Sequence, residues 1–374
     1  MITEWAWLIL NFYLLISLCA ILFDFYVMLT ADAHDRRQQK RKERLSTLLQ
    51  KQLDRIREGQ ALDESVQKEL YSRLCNIEDV LSMSEIAEEY SSRKDADFAA
   101  FLAQSGALIA RLCQRYAKRQ KMVRASFAWF LAACSQKLPT ADHFLLDCAS
   151  QAGSIYCREN AMMAFYRSGN ENLVIQALKL MSKRDIHHSQ KLLADGFLTF
   201  QGDQEELCFQ LWQNFKSFSP EIRLAVVDFM RLKNADYRKQ LLPLLEDPKT
   251  DDELCFAILR YFGRCADENA CQIMMRFLEE PRNQLWEYAA VSASALRIYH
   301  HEKAVGALAQ ALTSHSWYVR YNAAECLVYM HLPEQVYDQL LQTEDPYAKD
   351  ILGYMLRRRQ IMFAGGNPTA AKEV

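Results

Sequence analysis

The chain is poor in residues that break helices, with 11 glycines and 8 prolines in 374 positions, and no run keeps an apolar–polar alternation. A half-buried strand needs that period of two, so its absence argues against a β fold. Leu, Ala, Gln, Glu, Lys and Arg dominate, and these are good helix formers. The expected fold class is all-α. A surplus of one charge is missing too: 45 Lys and Arg stand against 47 Asp and Glu, a net of −2. There is no general electrostatic pull toward nucleic acid. Eleven cysteines run from Cys19 to Cys326 without a single CxxC pair. Dispersed single cysteines behave as small buried hydrophobes and suit a reducing compartment.

Signatures of chemistry are also absent. There is no GxSxG, no P-loop and no GxGxxG. The histidines include two pairs, His187-His188 and His300-His301, each near an expected loop. At His301-Glu302 the HExxH pattern fails because Val305 holds the second histidine's place, and no Cys/His cluster has zinc spacing. Acid pairs such as Glu88-Glu89 and Asp251-Asp252 lie in charged stretches and read as solvated surface. No catalytic residue, metal ligand or cofactor is assigned, and the chain reads as non-enzymatic.

What is present begins at Trp5. Residues 5–29, WAWLILNFYLLISLCAILFDFYVML, carry one charged side chain, Asp24. As a helix the run is about 37 Å long, enough to cross a hydrocarbon core of about 30 Å. Arg36, Arg37, Lys40, Arg41, Lys42 and Arg44 follow at once. Lys and Arg mark the cytoplasmic flank, so the expected arrangement is a single-pass anchor with the amino terminus outside and the rest cytoplasmic. The same six basic residues are expected at the anionic inner leaflet. A cleaved signal peptide, with Ala31-Asp32-Ala33 as its site, lacks a positive leading region and is too long in its apolar part. A lipobox at Cys19 fails at Leu18. Trp5, Trp7 and Tyr26 fall near the two ends of the span, where amphipathic rings favour the interface. Asn11 and Asp24 are its polar exceptions, and Asp24 lies close enough to the cytoplasmic end to reach headgroup water.

From about Asp35 to Gly59, Leu45, Leu48, Leu49, Leu53 and Ile56 form a narrow apolar stripe on one side of a helix. It either packs on the next elements or zips with a partner as a second binding site. Beyond it a template recurs, starting at Val123, Cys157, Ser189, Ile222, Leu254, Leu285, Val319 and Ala348, at intervals of 34, 32, 33, 32, 31, 34 and 29 residues. The start and the positions four and eight further on are apolar everywhere except at Ser189. A second apolar helix lies between starts, as in Leu173–Met181, Leu207–Phe215, Gln240–Leu245, Cys271–Leu278 and Val305–Leu312. Two helices in about 33 residues cannot bury their apolar face alone, so neighbours stack into a continuous core.

The Val319-Arg320-x-x-Ala323-Ala324 pattern and the turns Asp247-Pro248, Glu280-Pro281 and Asp345-Pro346 resemble HEAT repeats, in particular the short bacterial type also found in phycobilin-lyase-like proteins. The resemblance covers about residues 96–360 and is specific for architecture. It implies an α-solenoid of about eight helix pairs, in which an Arg after the first apolar anchor bonds into the turn. That Arg matches Arg124, Arg158, Arg223 and Arg320, with Lys349 a weaker match, while Gln190, Cys255 and Trp286 depart from it. The expected organisation is a transmembrane anchor at 1–30, a basic juxtamembrane helix at 31–60, amino-terminal solenoid helices at 61–117, repeats at 118–360 and a disordered tail at 361–374.

HEAT arrays act as scaffolds, transport receptors, lyases and hydroxylases, so fold does not give function. Deoxyhypusine hydroxylase needs several His-Glu dipeptides and this chain has one. In the family the second helices line the concave face, at positions two and six past each start. Here that row includes Ala125 and Trp129, Glu159 and Met163, Leu224 and Asp228, Phe256 and Arg260, Tyr321 and Glu325. Mixed and mildly acidic, it is unlike a phosphate groove, and no nucleic-acid partner is expected. Aromatic and Met residues beside isolated charges suit a protein interface, so Trp129, Met163, Phe256, Tyr321 and Glu325 are the expected protein-binding residues. Trp212, Trp286 and Trp317 are assigned to packing between helices. The expected function is a membrane-anchored cytosolic adaptor for a membrane-associated protein, such as a glycosyltransferase or a secretion or signalling assembly. The alternatives are a lyase or hydrolase with a pocket between repeats, and a dimer built on the 35–59 helix.

Overall fold

The computed structural model describes residues 2–151 and 153–364; side chains at 2–4, 6, 8, 9, 26–34 and 361–364 lie outside the description. Among the described residues the chain is all-α, with twenty α-helices, four short 3-10 turns and no strand. It forms two compact units: Met1–Ile186 with Thr199–Asp203, and His187–Leu198 with Gln204–Val374.

The first unit starts with α1 (Ile2–Arg57), 56 residues without Gly or Pro, or about 84 Å at 1.5 Å per residue. The helix runs unbroken across the expected boundary at 30/31. It stops where Gly59 adopts φ +68°, with the Gly59 N–H donating to Ile56 O at 2.9 Å and the Gln60 N–H to Arg55 O at 2.8 Å. This is the left-handed cap that glycine enters without strain. Leu45, Leu48, Leu49 and Leu53 are buried against α2 (Glu64–Leu74), α3 (Ile77–Ser92) and α4 (Ala96–Gln104). The apolar stripe therefore belongs to the unit's own core and is not left open for a partner helix. Buried Gln52 locks the return of the chain: its amide donates to Asp63 O and its oxygen accepts from the Asp63 N–H, both at 2.9 Å.

Among the described residues no single helix is long and apolar enough to cross a membrane; the apolar part of α1 with described side chains is Leu10–Phe25. The ends of the expected span, including Tyr26, lie outside the described side chains. One bent pair, α4 and α5 (Gly106–Ala117), meets the length and composition of a broken span at an angle of 65°. Its apolar residues Phe98, Phe101, Leu102, Leu108, Ile109 and Leu112 are buried, as core helices require. Then follow α6 (Lys121–Ala133), α7 (Asp142–Ala149), α8 (Ile155–Ser168) and α9 (Glu171–Lys183). Helix α6 packs on both α3 and α8, and Asn160 on α8 donates to Ala125 O on α6 at 2.9 Å.

The second unit holds α10 (Gln190–Leu198), α11 (Gln204–Gln213), α12 (Pro220–Lys233), α13 (Arg238–Glu246), α14 (Asp252–Phe262), α15 (Glu268–Glu279), α16 (Trp286–Ala295), α17 (Glu302–Ala311), α18 (Trp317–Tyr329), α19 (Glu334–Leu340) and α20 (Pro346–Ala364). Alternate helices stack in order, α10 on α12, α12 on α14 and so on to α20, while α15 packs on α17 in a second row. The expected tail at 361–374 begins inside α20, and residues from 365 lie outside the description.

Every template start falls in, or one residue before, one of the even-numbered helices α6 to α20. All eight side chains four places on are buried, and eight places on only Leu356 is partly exposed. Tyrosines fasten the loops between paired helices in the second unit. Tyr261 OH donates to Ala235 O (2.7 Å) and accepts from the Tyr237 N–H (2.8 Å). Tyr299 does the same between Phe262 O (2.9 Å) and the Asp267 N–H (3.0 Å). Each hydroxyl satisfies a carbonyl and an amide that the helix ends leave over.

Candidate functional site

The six basic residues after the apolar run do not act alike. Arg41 pairs with Glu78, and Lys42 reaches Glu85 at 3.3 Å, both acids on α3. Arg36, Arg37, Lys40 and Arg44 are exposed, and 36, 40 and 44 share one face of α1 by their four-residue spacing.

In the first unit, Trp129 is half-buried beneath the Arg167 guanidinium, 5.7 Å from its ring centre. Arg167 in turn pairs with Glu88 at 3.2 Å. Met163 is half-buried. In the second unit Phe256 is only 6 % exposed and sits edge-on to Tyr288, with ring centres 4.8 Å apart. It is not on offer to a partner, because its ring is packed against Tyr288 and only Glu253 and Arg260 of α14 are exposed. Tyr321 and Glu325, however, converge on one cation. Arg358 donates to Tyr321 OH at 2.9 Å and lies 3.5 Å from Glu325.

Tyr321 leads to a surface that the sequence reading missed. Trp212 packs between Phe215 and Tyr237 (4.9 and 5.8 Å), as expected. Trp286 also packs between helices, against Tyr318, but keeps 41 % exposure, and Trp317 is 57 % exposed. Tyr318 stacks on Trp286 at 4.9 Å, and Trp317 sits 5.3 Å from Tyr318 and 5.0 Å from Tyr321. Beside these rings runs a groove of about 400 Å³ lined by Trp317, Arg320, Tyr347, Asp350, Ile351 and Tyr354, which His315 also borders. Its walls are two helix faces. Residues 317 and 320 lie a turn apart on α18, and 347, 350, 351 and 354 keep the i, i+3, i+4, i+7 spacing of one face of α20. That spacing was the available signal.

Local chemistry holds the walls in place. Asp345 caps α20, accepting from the Tyr347 N–H (2.8 Å) and the Ala348 N–H (3.2 Å), and Pro346 opens the helix where its missing N–H costs nothing. Arg320 donates to Ser314 O, pairs with Asp345 at 3.0 Å and lies over the Tyr347 ring at 5.4 Å. Partial burial disfavours the Asp345 carboxylate, but the Ala348 N–H, Arg320 and the Tyr347 N–H outweigh it and hold its pKa below the ordinary value. Where the template lacks its arginine, at Cys255, Arg282 from the next turn reaches back to Leu245 O (2.7 Å) and the Cys255 sulfur (3.2 Å).

Two cysteine arrangements are chemically suggestive and both are structural. The Cys271 sulfur lies 3.3 Å from His301 Nε2. His301 caps α17, its Nδ1 accepting from the Ala304 N–H at 3.2 Å. In a neutral ring that leaves the proton on Nε2, which donates to the sulfur and cannot deprotonate it. Burial also pushes the Cys271 thiol up to about 11. Cys148 and Cys157 share a hydrogen bond that raises the first thiol's pKa and lowers the second's, beside Arg124 at 3.5 Å, but both are fully buried. Among the described residues no group of three or more His, Cys, Asp or Glu is placed to hold a metal ion. In comparisons with known proteins, no protein-family model matches the chain and no curated protein matches it significantly.

Proposed function

We propose that this chain is a membrane-anchored adaptor whose helical repeats, about eight HEAT-like pairs, hold a membrane-associated protein on the cytosolic side. The observation that carries the reading is the exposed aromatic surface of α16, α18 and α20. Contiguous exposed rings beside isolated charges are the usual anchors of a protein interface. The membrane half of the proposal rests on Leu10–Phe25, whose side chains are exposed and, Asn11, Ser17 and Asp24 aside, largely apolar, followed by exposed Arg36, Arg37, Lys40 and Arg44. Tethering confines both partners to one surface and raises their effective concentration without new contacts.

Affinity purification from membranes tests the adaptor role, comparing the intact chain with a Trp317→Ala, Tyr318→Ala double variant. The expected result is loss of a reproducible co-purifying protein by about tenfold or more, the scale of one or two interface anchors. An unchanged set of proteins refutes the aromatic surface as the binding site. Protease digestion of sealed vesicles tests the topology, and protection of the second unit when the cytosolic side is open to protease rejects it.

A further inference from the structure

We infer that the groove between α18 and α20 receives an arginine side chain from an extended basic segment of the partner protein. This rests on the adaptor reading and names the partner's chemistry. The first argument is charge. The groove contains one arginine and one carboxylate of its own, but they do not neutralise each other. Arg320 is taken up by Asp345, the Ser314 carbonyl and Tyr347. Asp350 is exposed and has no ion-pair or hydrogen-bond partner among the described residues. The groove therefore presents an uncompensated negative charge.

The second argument is the walls. Trp317, Tyr347 and Tyr354 are all about half exposed or more, and Tyr347 remains 70 % exposed although Arg320 lies over it. Aromatic faces attract cations, most strongly when the cation is partly desolvated. A guanidinium is flat, weakly hydrated and able to offer two parallel N–H donors to one carboxylate. It can stack on a ring and pair with Asp350 together, whereas a compact ammonium keeps its water. The chain already uses this contact internally, with Arg297 4.9 Å from the Tyr329 ring centre. The groove's volume of about 400 Å³ suits a side chain with its neighbours, within the range of roughly 300–1,000 Å³ for ligand clefts. The stacked Trp286–Tyr318 pair continues the aromatic surface beyond it, which favours an extended segment over a small free cation.

The test is calorimetric titration of the purified full-length chain in nanodiscs of neutral lipid at pH 8, with acetylated and amidated tetra-arginine as the probe. Tetra-lysine, choline and tetra-glutamate form the comparison arms. Tetra-arginine is expected to bind at least about fivefold more tightly than tetra-lysine, and Asp350→Asn to weaken it about tenfold, the effect of losing one charge-assisted contact. Asp338→Asn, an exposed acid on α19 outside the groove, is expected to leave binding unchanged. Equal affinity for Asp350→Asn and the native chain overturns the proposal. So does an equal loss in Asp338→Asn, equal binding of tetra-lysine, or tighter binding of choline or tetra-glutamate. This titration reads the groove alone. If the double variant above loses its partner while Asp350→Asn binds tetra-arginine normally, only the arginine assignment falls. If the peptide binds as expected and co-purification never changes, the adaptor reading falls instead.

Discussion

The core around Phe127 in the first unit and the surface of α16, α18 and α20 in the second put the same residue types to opposite uses. In the first, Phe127 is fully buried, its ring 4.4 Å from Tyr116 and 5.3 Å from Phe144, and Arg124 pairs with Asp147 at 2.6 Å with a side chain only 6 % exposed. In the second, Trp286, Trp317, Tyr318 and Tyr347 stand in solvent, and Arg320, at the same template position as Arg124, braces a groove wall. Rings turned inward stabilise a fold; rings turned outward are available for recognition. Buried rings such as Phe229, Phe262 and Tyr288 stabilise the second unit likewise, so the contrast is between the packed cores and the exposed patch of α16, α18 and α20.

The strongest challenge to that division is a pair of truncations. Phe127→Ala removes a fully buried ring and is expected to cost about 3–5 kcal/mol. Trp317→Ala removes a larger ring that is mostly exposed, and is expected to change stability by no more than about 1 kcal/mol. Urea unfolding followed by circular dichroism reads both. Comparable losses would make Trp317 a packing residue, as the sequence first suggested, and would remove the basis for a binding surface.

That first suggestion failed for a physical reason. The helical stride was legible because stacked helix pairs must bury one face at a constant interval, and Phe127, Ala161, Leu193 and Val226 all lie inside as their spacing requires. Periodicity reports which face is apolar, however, and not what covers it. Phe256 has the phase of the exposed Glu253 and Arg260 but its own ring is covered by Tyr288. Trp286 and Trp317 have the bulk of packing residues but are covered only in part, Trp286 by Tyr318 on one face. Of the expected binding residues, Tyr321 and Glu325 meet at Arg358, because a four-residue spacing on one helix carries real spatial information. Trp129 and Met163 are half-buried, a degree of exposure that no sequence pattern resolves.

A smaller effect separates the two template arginines. Arg124→Met leaves Asp147 without its partner, and because Asp147 is 39 % exposed water repairs part of the loss. The expected cost is about 2 kcal/mol, below the range for a fully buried pair. Arg320→Met removes a pair whose arginine is more exposed but whose acid is less so, 14 % and 22 %, and is expected to cost a similar amount, about 2 kcal/mol, while weakening binding at the aromatic surface several-fold. If Arg124→Met also weakened that binding to the same degree, stability and recognition would not be separable between the core and the patch.

The finest distinction is in pH. The Asp345 carboxylate is held below its ordinary value of 3.8 by the Ala348 N–H, Arg320 and the Tyr347 N–H, against the burial that opposes it. A lowered pKa in the fold means the charged form is the stabilising one. Its contribution is complete above the ordinary value and is lost as pH falls through the lower, folded value. Asp345→Asn mimics the protonated state without titrating. The urea midpoints of the native chain and Asp345→Asn should therefore differ at pH 6 and draw together below about pH 4, where other carboxylates weaken both chains alike. A gap that stays constant across that range would mean the α20 cap works through shape alone, and that the groove wall does not depend on the Arg320–Asp345 charge pair.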